Sequence, residues 1–244
     1  DYATVDVLSG GRVELVLGRG SLFLRTYEGF GHDVATARER YDQNVPLLVT
    51  LLREENVHWA GDFRAPLTGH TTRPRPVGDM PIWVGAGSKA SAELAADLGC
   101  WLMLPSVFGK PEMFVPIVDI YRARWESIGR DWADARVGAC SHCFVGPTSQ
   151  GARTQWEPYY RNYWDFVGDL LGGEGTWPPF DFGELLAGPG ICGSPAEVVD
   201  KIESWRDIFG LDRHLFMFDL GGIDESSLMG SLELFGSKVI PAVK

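Results

Sequence analysis

Apolar residues recur along the chain in short runs, most of which lead into glycine, and segments with helical spacing separate these runs. Each run is almost continuously apolar, as strands buried on both faces are. The runs predict strands at residues 13–18, 81–88, 100–104, 136–146 and 213–222. Strands of this type, separated by helices, indicate a parallel sheet covered by helices.

Helical spacing predicts helices between these strands. Pro46 lies inside the first of them and must either kink it or begin a second helix. Ser194, Pro195 and Glu197 form a capping box with proline at the first helical position, so that a helix begins at Pro195. Long loops are expected at residues 62–81 and 172–193. The predicted helices span residues 35–54, 88–98, 111–128, 148–171, 195–209 and 224–240.

Two topologies fit this α/β pattern, an open doubly wound sheet and a (β/α)8 barrel. A barrel requires eight strand–helix units, and five are present here. Residues 1–9 have the character of a helix that has lost its beginning. At roughly 30 residues per unit, three further units would need on the order of 90 residues before Asp1.

Composition narrows the function. The net charge of −11 disfavours nucleic acid and anionic membrane surfaces as partners. No apolar run is long enough to span a bilayer and no signal peptide is recognisable, so that we expect a cytoplasmic protein. The four cysteines are too few and too scattered for a disulfide framework, and we expect reduced thiols.

Arg19 lies between Gly18 and Gly20, directly after the first apolar run. An arginine at this place pairs either with a surface carboxylate or with an anionic ligand that the glycines allow to approach. In "VGAGSKAS", Gly85 and Gly87 follow a strand, and Ser88 and Ser91 occupy the first helical turn. Those hydroxyls are either plain N-caps or part of a phosphate site.

Both features follow strands, and parallel α/β proteins bind ligands at the carboxyl ends of their strands. Together they favour one phosphorylated ligand.

Cys140 and Cys143 have the spacing of a metal or redox pair, but no second ligand pair follows, and we expect no metal. His142 shares a strand face with Cys140, and is either a core histidine or a pocket residue. The aromatic residues between 156 and 166 have helical spacing, which favours packing over a ligand cage.

Three stretches of the chain resemble the bacterial luciferase-like flavin-dependent monooxygenases. They are "LSGGRVELVLGRG" with "EGFG", "RPRPVGDMPIWVGAGS" with its alanine-rich helix, and the closing "GSPAEVVDKIESW... FMFDLGG... SLELFGSKVIP". The resemblance implies one luciferase-like (β/α)8 TIM-barrel domain over residues 1–244. It also implies that the chain covers strand 4 to helix 8 and lacks the first three units.

The resemblance further implies that Arg19, Ser88 and Ser91 hold the phosphate of reduced FMN, with Ser21 and Gly87 lining the site through their backbone. Gly18, Gly20 and Gly85 complete the expected cofactor site. The implied activity oxidises a small organic substrate with O2, using reduced FMN from a separate flavin reductase. A close variant uses F420 and transfers hydride without O2.

Departures from the family pattern limit the substrate. Gly18 stands where luciferases carry a reactive cysteine, so that light emission is not expected. His142 matches a strand-7 histidine of the alkanesulfonate branch and is our candidate catalytic residue, but Cys140 replaces that branch's arginine. An alternative from another class is a non-catalytic flavin-binding protein. An open barrel edge also predicts a homo-oligomer, with a dimer formed over that edge.

Overall fold

The computed structural model describes residues 1–20, 24–171 and 177–243. The chain forms two compact units. Unit 1 comprises Asp1–Met103 and Ile120–Ala135, and unit 2 comprises Leu104–Asp119 and Arg136–Lys244. No helix in the described ranges has the length and hydrophobicity needed to cross a membrane.

The parallel strands of unit 1 are β1 (Leu15–Leu17), β4 (Ile82–Gly85) and β5 (Trp101–Leu104), whose last residue belongs to unit 2. β4 pairs with β1 and with β5. Leu17 is aligned with Val84, the neighbour of Gly85, so that β1 and β4 end side by side. The residues that follow these two strands are therefore neighbours, as the sequence predicts.

Among the described residues, five α-helices lie in unit 1 or end there. They are α1 (Tyr2–Ser9), α2 (Leu24–Gly29), α3 (Ala37–Arg53), α4 (Lys89–Asp97) and α5 (Val115–Ser127). The expected helix end at residues 1–9 is confirmed by α1. α3 continues through Pro46 as a single helix, so that the alternative of a second helix beginning at this proline is wrong.

The predicted loop at residues 62–81 is partly wrong, because it contains a strand. β2 (Val57–Trp59) and β3 (Leu67–His70) pair antiparallel, with a register shift between Val57 and Trp59. β3 has the sequence Leu-Thr-Gly-His and is largely exposed. Such a strand has no apolar alternation from which it could be predicted.

Unit 2 is built around β6 (Val137–Val145), with β7 (Ile191–Gly193) and β8 (Arg213–Met217) parallel to it. β8 is aligned with the first part of β6 and β7 with its last three residues. The predicted loop at 172–193 is wrong where β7 and the short helix α7 (Phe182–Ala187) lie. Residues 172–176 of that loop lie outside the described residues.

Unit 2 also contains the α-helices α6 (Ser149–Leu171), α8 (Pro195–Phe209) and α9 (Glu225–Leu234). α8 begins and ends where the sequence predicts. The Ser194 hydroxyl accepts a hydrogen bond from the Glu197 N–H, while the Glu197 carboxylate forms an ion pair with Arg153. α9 continues as a π-helical turn at Phe235–Val239, so that the helix predicted to 240 has two parts.

The two faces of β6 belong to different cores. Phe144 packs with Trp156 and Tyr160 of α6, whereas Cys143 and Val145 pack with residues of α8. Burial on both faces explains why the sequence of this strand is almost continuously apolar. The predicted α/β fold with parallel strands is therefore confirmed in each unit.

Candidate functional site

The predicted phosphate site lies at the adjacent ends of β1 and β4 in unit 1. A Cβ atom at Gly85 would lie 3.3 Å from the Leu17 carbonyl oxygen and 3.8 Å from the Gly18 Cα. Glycine at position 85 therefore allows the two strand ends to approach closely. Gly20 has a φ of +69°, a left-handed conformation that favours glycine.

The Arg19 side chain is exposed and has no ion-pair partner in the described part of the chain. The surface ion pair that the sequence left open is therefore not formed with any described carboxylate. Arg19 lines a pocket of about 310 Å³ together with Thr26, Tyr27, Phe30 and His32, and the Tyr27 hydroxyl donates to the Arg19 carbonyl. A cation in this position is available to an anionic ligand.

The start of α4 supplies the second half of the site. Ser88 is the N-cap, and its hydroxyl accepts from the Ser91 N–H at 3.4 Å. The Ser91 hydroxyl accepts from the Ser88 N–H at 3.2 Å, which completes a capping box. The first two helical amides, those of Lys89 and Ala90, have no acceptor within the helix. Free amides at the positive end of a helix dipole are groups to which anions commonly bind in proteins, so that the expectation of a phosphate here stays a prediction.

The two serines are exposed to different degrees. Ser91 is only 8% exposed and is held by the cap, whereas Ser88 and Gly87 are exposed at the surface. The N-cap alternative is thus confirmed for Ser88, and the Ser91 hydroxyl completes the same cap from the third helical position. Of the two, Ser88 is the one open to a ligand. Ser21 lies outside the described residues.

Tyr41 of α3 has a buried hydroxyl that forms no hydrogen bond with any described residue. Burial raises the pKa of Tyr41, and the charges of Arg38 and Arg19 partly oppose this rise. The sequence offered no reason to associate Tyr41 with Arg19, since 22 positions separate them in the printed numbering.

His142 lies on β6 in unit 2 and is only 1% exposed. Its Nδ1 atom lies 2.8 Å from the hydroxyl oxygen of Tyr160. The rings of Tyr163 and Phe108 approach it edge-on, with centroids at 5.1 and 6.2 Å. His142 is therefore buried beneath aromatic side chains, and its assignment as a catalytic residue stays a prediction.

Burial determines the charge of this pair. It lowers the pKa of His142 to about 4 and raises the pKa of Tyr160 above its usual value of 10. Both groups are therefore neutral near pH 7. The hydrogen bond between them contains one proton, which belongs to either the tyrosine or the histidine. Either Tyr160 donates to Nδ1, or Nδ1 carries the proton and donates to the phenol oxygen.

The sequence prediction missed the partner of His142. The aromatic positions of α6 were interpreted as packing, and Trp156 and Tyr160 are indeed fully buried. The hydroxyl of Tyr160 nevertheless selects one orientation of the His142 ring. Nothing in the spacing of these residues along the chain indicates this pairing.

The cysteine pair Cys140 and Cys143 lies on β6 in unit 2. Within the described ranges, no group of three or more histidine, cysteine or carboxylate side chains is arranged to hold a metal ion. Cys140 is partly exposed and Cys143 is buried, and burial raises the pKa of both thiols, that of Cys140 to about 11.

Comparison with known proteins decides the family. Residues 1–211 match the model of the luciferase-like monooxygenase family. The chain belongs to this family. The resemblance seen in the sequence is thereby confirmed, as is the prediction of an oxidoreductase of luciferase-like type.

Characterised relatives share less than a quarter of their residues with this member. The oxygenase component of a flavin-dependent trigonelline monooxygenase from Acinetobacter baylyi is 23% identical, over 99% of this chain and 71% of that protein. An FMNH2-dependent dimethylsulfone monooxygenase from Pseudomonas fluorescens is 22% identical, over 99% of this chain and 68% of that protein.

Solved structures share the fold. Monooxygenase RslO1 from Streptomyces bottropensis superposes with a TM-score of 0.84 at 23% identity, over 99% of this chain and 72% of that one. An F420-dependent secondary alcohol dehydrogenase superposes with a TM-score of 0.74 at 16% identity, over 100% of this chain and 73% of that one. The oxygenating constituent of 3,6-diketocamphane monooxygenase from Pseudomonas putida, in complex with FMN, gives 0.71 at 17%, with coverages of 100% and 74%.

Proposed function

We propose that this luciferase-like protein is a flavin-dependent monooxygenase that uses reduced FMN and O2 to oxidise a small organic substrate. The observation that carries the proposal concerns Arg19, whose guanidinium has no ion-pair partner in the described ranges. Arg19 follows β1, and β1 pairs with β4, the strand that leads to the start of α4. A separate reductase would supply the reduced flavin, in keeping with the name of the relative described as an oxygenase component.

The residues present fit an FMN phosphate. Arg19 would pair with the phosphate, and the amides of Lys89 and Ala90 would donate to its oxygens. Gly85 and Gly87, which have no side chains, would leave room beside them. Reduced FMN, when bound, supplies the electrons with which O2 is activated for oxygen transfer to the substrate.

His142 would act as a neutral hydrogen-bonding group. Its low pKa keeps it uncharged near neutral pH, and Tyr160 fixes the orientation of its ring. A neutral imidazole in this position can orient a polar group of a substrate without adding a buried charge.

The proposal includes a single (β/α)8 barrel domain in which this chain forms strand 4 to helix 8. Three strand side chains support it because they are apolar and yet about half exposed. These are Val16 of β1, at 43%, and Leu215 and Met217 of β8, at 41% and 50%. Further strands of a complete barrel would cover these positions. If those strands are not present, the same exposed residues would instead support a homo-oligomer over the open edge, which light scattering would detect.

F420 is the second candidate cofactor, because the fold is shared with an F420-dependent alcohol dehydrogenase. Hydride transfer by F420 proceeds without O2, whereas oxygenation consumes it. A protein that binds FMN but turns over no substrate with either cofactor would instead support the non-catalytic alternative. We place any of these activities in the cytoplasm.

The test is titration of the protein with FMN and with F420, for wild type, Arg19→Ala and Arg12→Ala. Arg12 is the matched control, because it is an exposed arginine that precedes the same strand and donates to the Ser9 carbonyl. Loss of a charged hydrogen-bond donor should weaken FMN binding by about tenfold or more in Arg19→Ala only. Equal affinities in all three proteins would refute the assignment of Arg19.

A further inference from the structure

An aromatic pocket in unit 2 is formed by other elements than those of the phosphate site. It has a volume of about 290 Å³. Its walls come from the segment after β5, from α6 and from the segment around α7. The lining residues that matter below are Phe108, Lys110, Trp164, Phe180, Asp181 and Glu184.

We propose that this pocket binds a planar aromatic molecule of one or two fused rings that carries no negative charge. The binding site stands on its own observations. Its assignment as the substrate pocket rests on the proposed monooxygenase function.

The volume of the pocket sets how much of a ligand its walls can cover. An apolar cavity of roughly 150 Å³ holds benzene. At about 290 Å³, the pocket has room for two fused rings. A larger ring system would extend beyond the walls into solvent, where it gains no further contact with them.

The walls favour a flat ring. Trp164, Phe108 and Phe180 present aromatic surfaces, and prolines 178, 179 and 189 add rigid apolar surface. Aromatic rings attract one another edge-to-face or in offset stacks beyond what burial alone provides. A saturated molecule of the same size loses this contribution.

The aromatic wall is held in place before a ligand arrives. The Trp164 Nε1–H donates to the Pro178 carbonyl at 2.9 Å. Trp177 packs against Trp164, and a Cβ atom at Gly168 would lie only 2.6 Å from its ring, so that Trp177 sits directly on the backbone of α6. The Phe108 ring packs edge-on with the rings of Trp164 and His142, with centroids 6.2 Å apart in each case. Preorganised walls lower the cost of binding.

The charged groups at the pocket disfavour an anion. Lys110 lies 3.6 Å from the carboxylate of Glu184, and both side chains are more than half exposed. The Asp181 carboxylate accepts from the Glu184 N–H and adds a second negative charge. Arg161 lies over the Phe180 ring, but the Arg161 guanidinium is paired with the Glu157 carboxylate at 3.3 Å, so that it offers an anion little net positive charge. The lining thus carries two carboxylates and one ammonium group.

The experiment compares three probes that share a carbon framework, using calorimetry. They are 2-naphthol, the anion 2-naphthoate and the saturated 2-decalol. We expect 2-naphthol to bind at one site, and 2-decalol to bind about tenfold more weakly because it cannot stack. We also expect 2-naphthoate to bind more weakly than 2-naphthol. Equal binding of 2-decalol would overturn the aromatic assignment, and tighter binding of 2-naphthoate would overturn the charge assignment.

Variants place the site. Trp164→Ala should weaken 2-naphthol binding about tenfold, in the range of other ring-stacking losses. Trp101→Ala is the matched control, because Trp101 also donates from Nε1 to a backbone carbonyl but lies in unit 1. Glu184→Gln should reduce the difference in affinity between 2-naphthol and 2-naphthoate. Glu233→Gln is the control, because Glu233 is an exposed carboxylate of the same unit, and it should leave this difference unchanged.

Two further readouts keep the result decisive. Should Trp164→Ala fail to fold, Trp164→Phe takes its place. This variant keeps a smaller ring but loses the Nε1–H bond to Pro178, so it should weaken 2-naphthol binding by less than about tenfold but measurably. Glu184→Gln tests the charge assignment independently of Trp164. FMN affinity is measured on every variant. FMN binding without 2-naphthol binding would refute the aromatic pocket alone, and 2-naphthol binding without FMN binding would refute the proposed function alone.

Discussion

The hydroxyl oxygens of Ser88 and Ser91 lie 2.8 Å apart, inside the reciprocal cap that begins α4. Both side chains therefore stabilise the start of α4, whether or not a ligand is bound. A change at either position alters the stability of α4 and the geometry of its free amides together.

Ser88→Ala should lower the free energy of unfolding by about 1 kcal/mol, the usual value of an N-cap. It should also weaken FMN binding, because the amides of Lys89 and Ala90 lose their fixed position. Ser194→Ala removes the equivalent cap of α8 and should cost similar stability without changing FMN affinity. Urea unfolding and flavin titration measure both effects. The idea fails if the two variants weaken FMN binding equally.

The burial of His142 predicts a dependence of stability on pH. Its pKa falls from 6.5 to about 4 in the folded protein. Between these values the unfolded chain takes up a proton that the folded chain does not, so stability decreases as the pH falls from about 6.5 to 4. The full effect of this residue is on the order of 3 kcal/mol.

His142→Gln keeps a neutral polar side chain and should flatten this part of the stability profile. Urea unfolding at pH 7.5 and at pH 5 measures it. Burial also lowers the pKa of His214, to about 3, and this contribution remains in the variant. The difference between the two profiles therefore reports His142, and identical slopes would show that its protonation is not coupled to folding.

Lys201 holds the segment that connects α7 to β7. Its ammonium group donates to the carbonyls of Leu186 and Gly190, the latter at 2.6 Å, and burial lowers its pKa to about 8. Lys201→Met keeps the apolar stem but leaves both carbonyls without this donor. We expect a loss of roughly 1–3 kcal/mol in unfolding free energy. Lys89→Met, at an exposed lysine, should change little, and a comparable loss there would contradict the argument.

Gly221 and Gly222 provide a matched pair of backbone substitutions. Both have positive φ angles, +63° and +75°. A Cβ atom at Gly221 would lie 1.7 Å from the Tyr159 carbonyl oxygen, whereas the space around Gly222 is open to 4 Å. Gly222→Ala should cost about 1–2 kcal/mol from backbone strain alone. Gly221→Ala should lower the unfolding free energy clearly more. Equal urea midpoints for the two variants would show that the backbone of α6 at Tyr159 moves away at little cost.

Local signals determine which parts of the fold are predictable from sequence. α8 begins at Pro195 and ends at Phe209 as predicted, because its cap and its apolar spacing lie within the helix itself. β3 and β7 were missed because they are three or four residues long and depend on a partner strand, which is the neighbouring β2 for β3 and the distant β6 for β7. Such short strands are defined by pairing and not by their own pattern.

The candidate site follows the same division. The adjacency of the Arg19 and Ser88 segments was predictable, since parallel strands end at a common edge. The hydrogen bond between His142 and Tyr160 was not, because it depends on how α6 packs over β6. The lack of a described carboxylate partner for Arg19 likewise appears only once the side chains are placed.

The burial of the native thiols has a practical consequence for labelling. Three of the four cysteines are buried, and burial raises the pKa of every one, so that little reactive thiolate exists at neutral pH. A single cysteine introduced at an exposed position should therefore react with a maleimide dye well before the native ones. Fluorescent reporters of ligand binding can be attached to this protein without first removing its own cysteines.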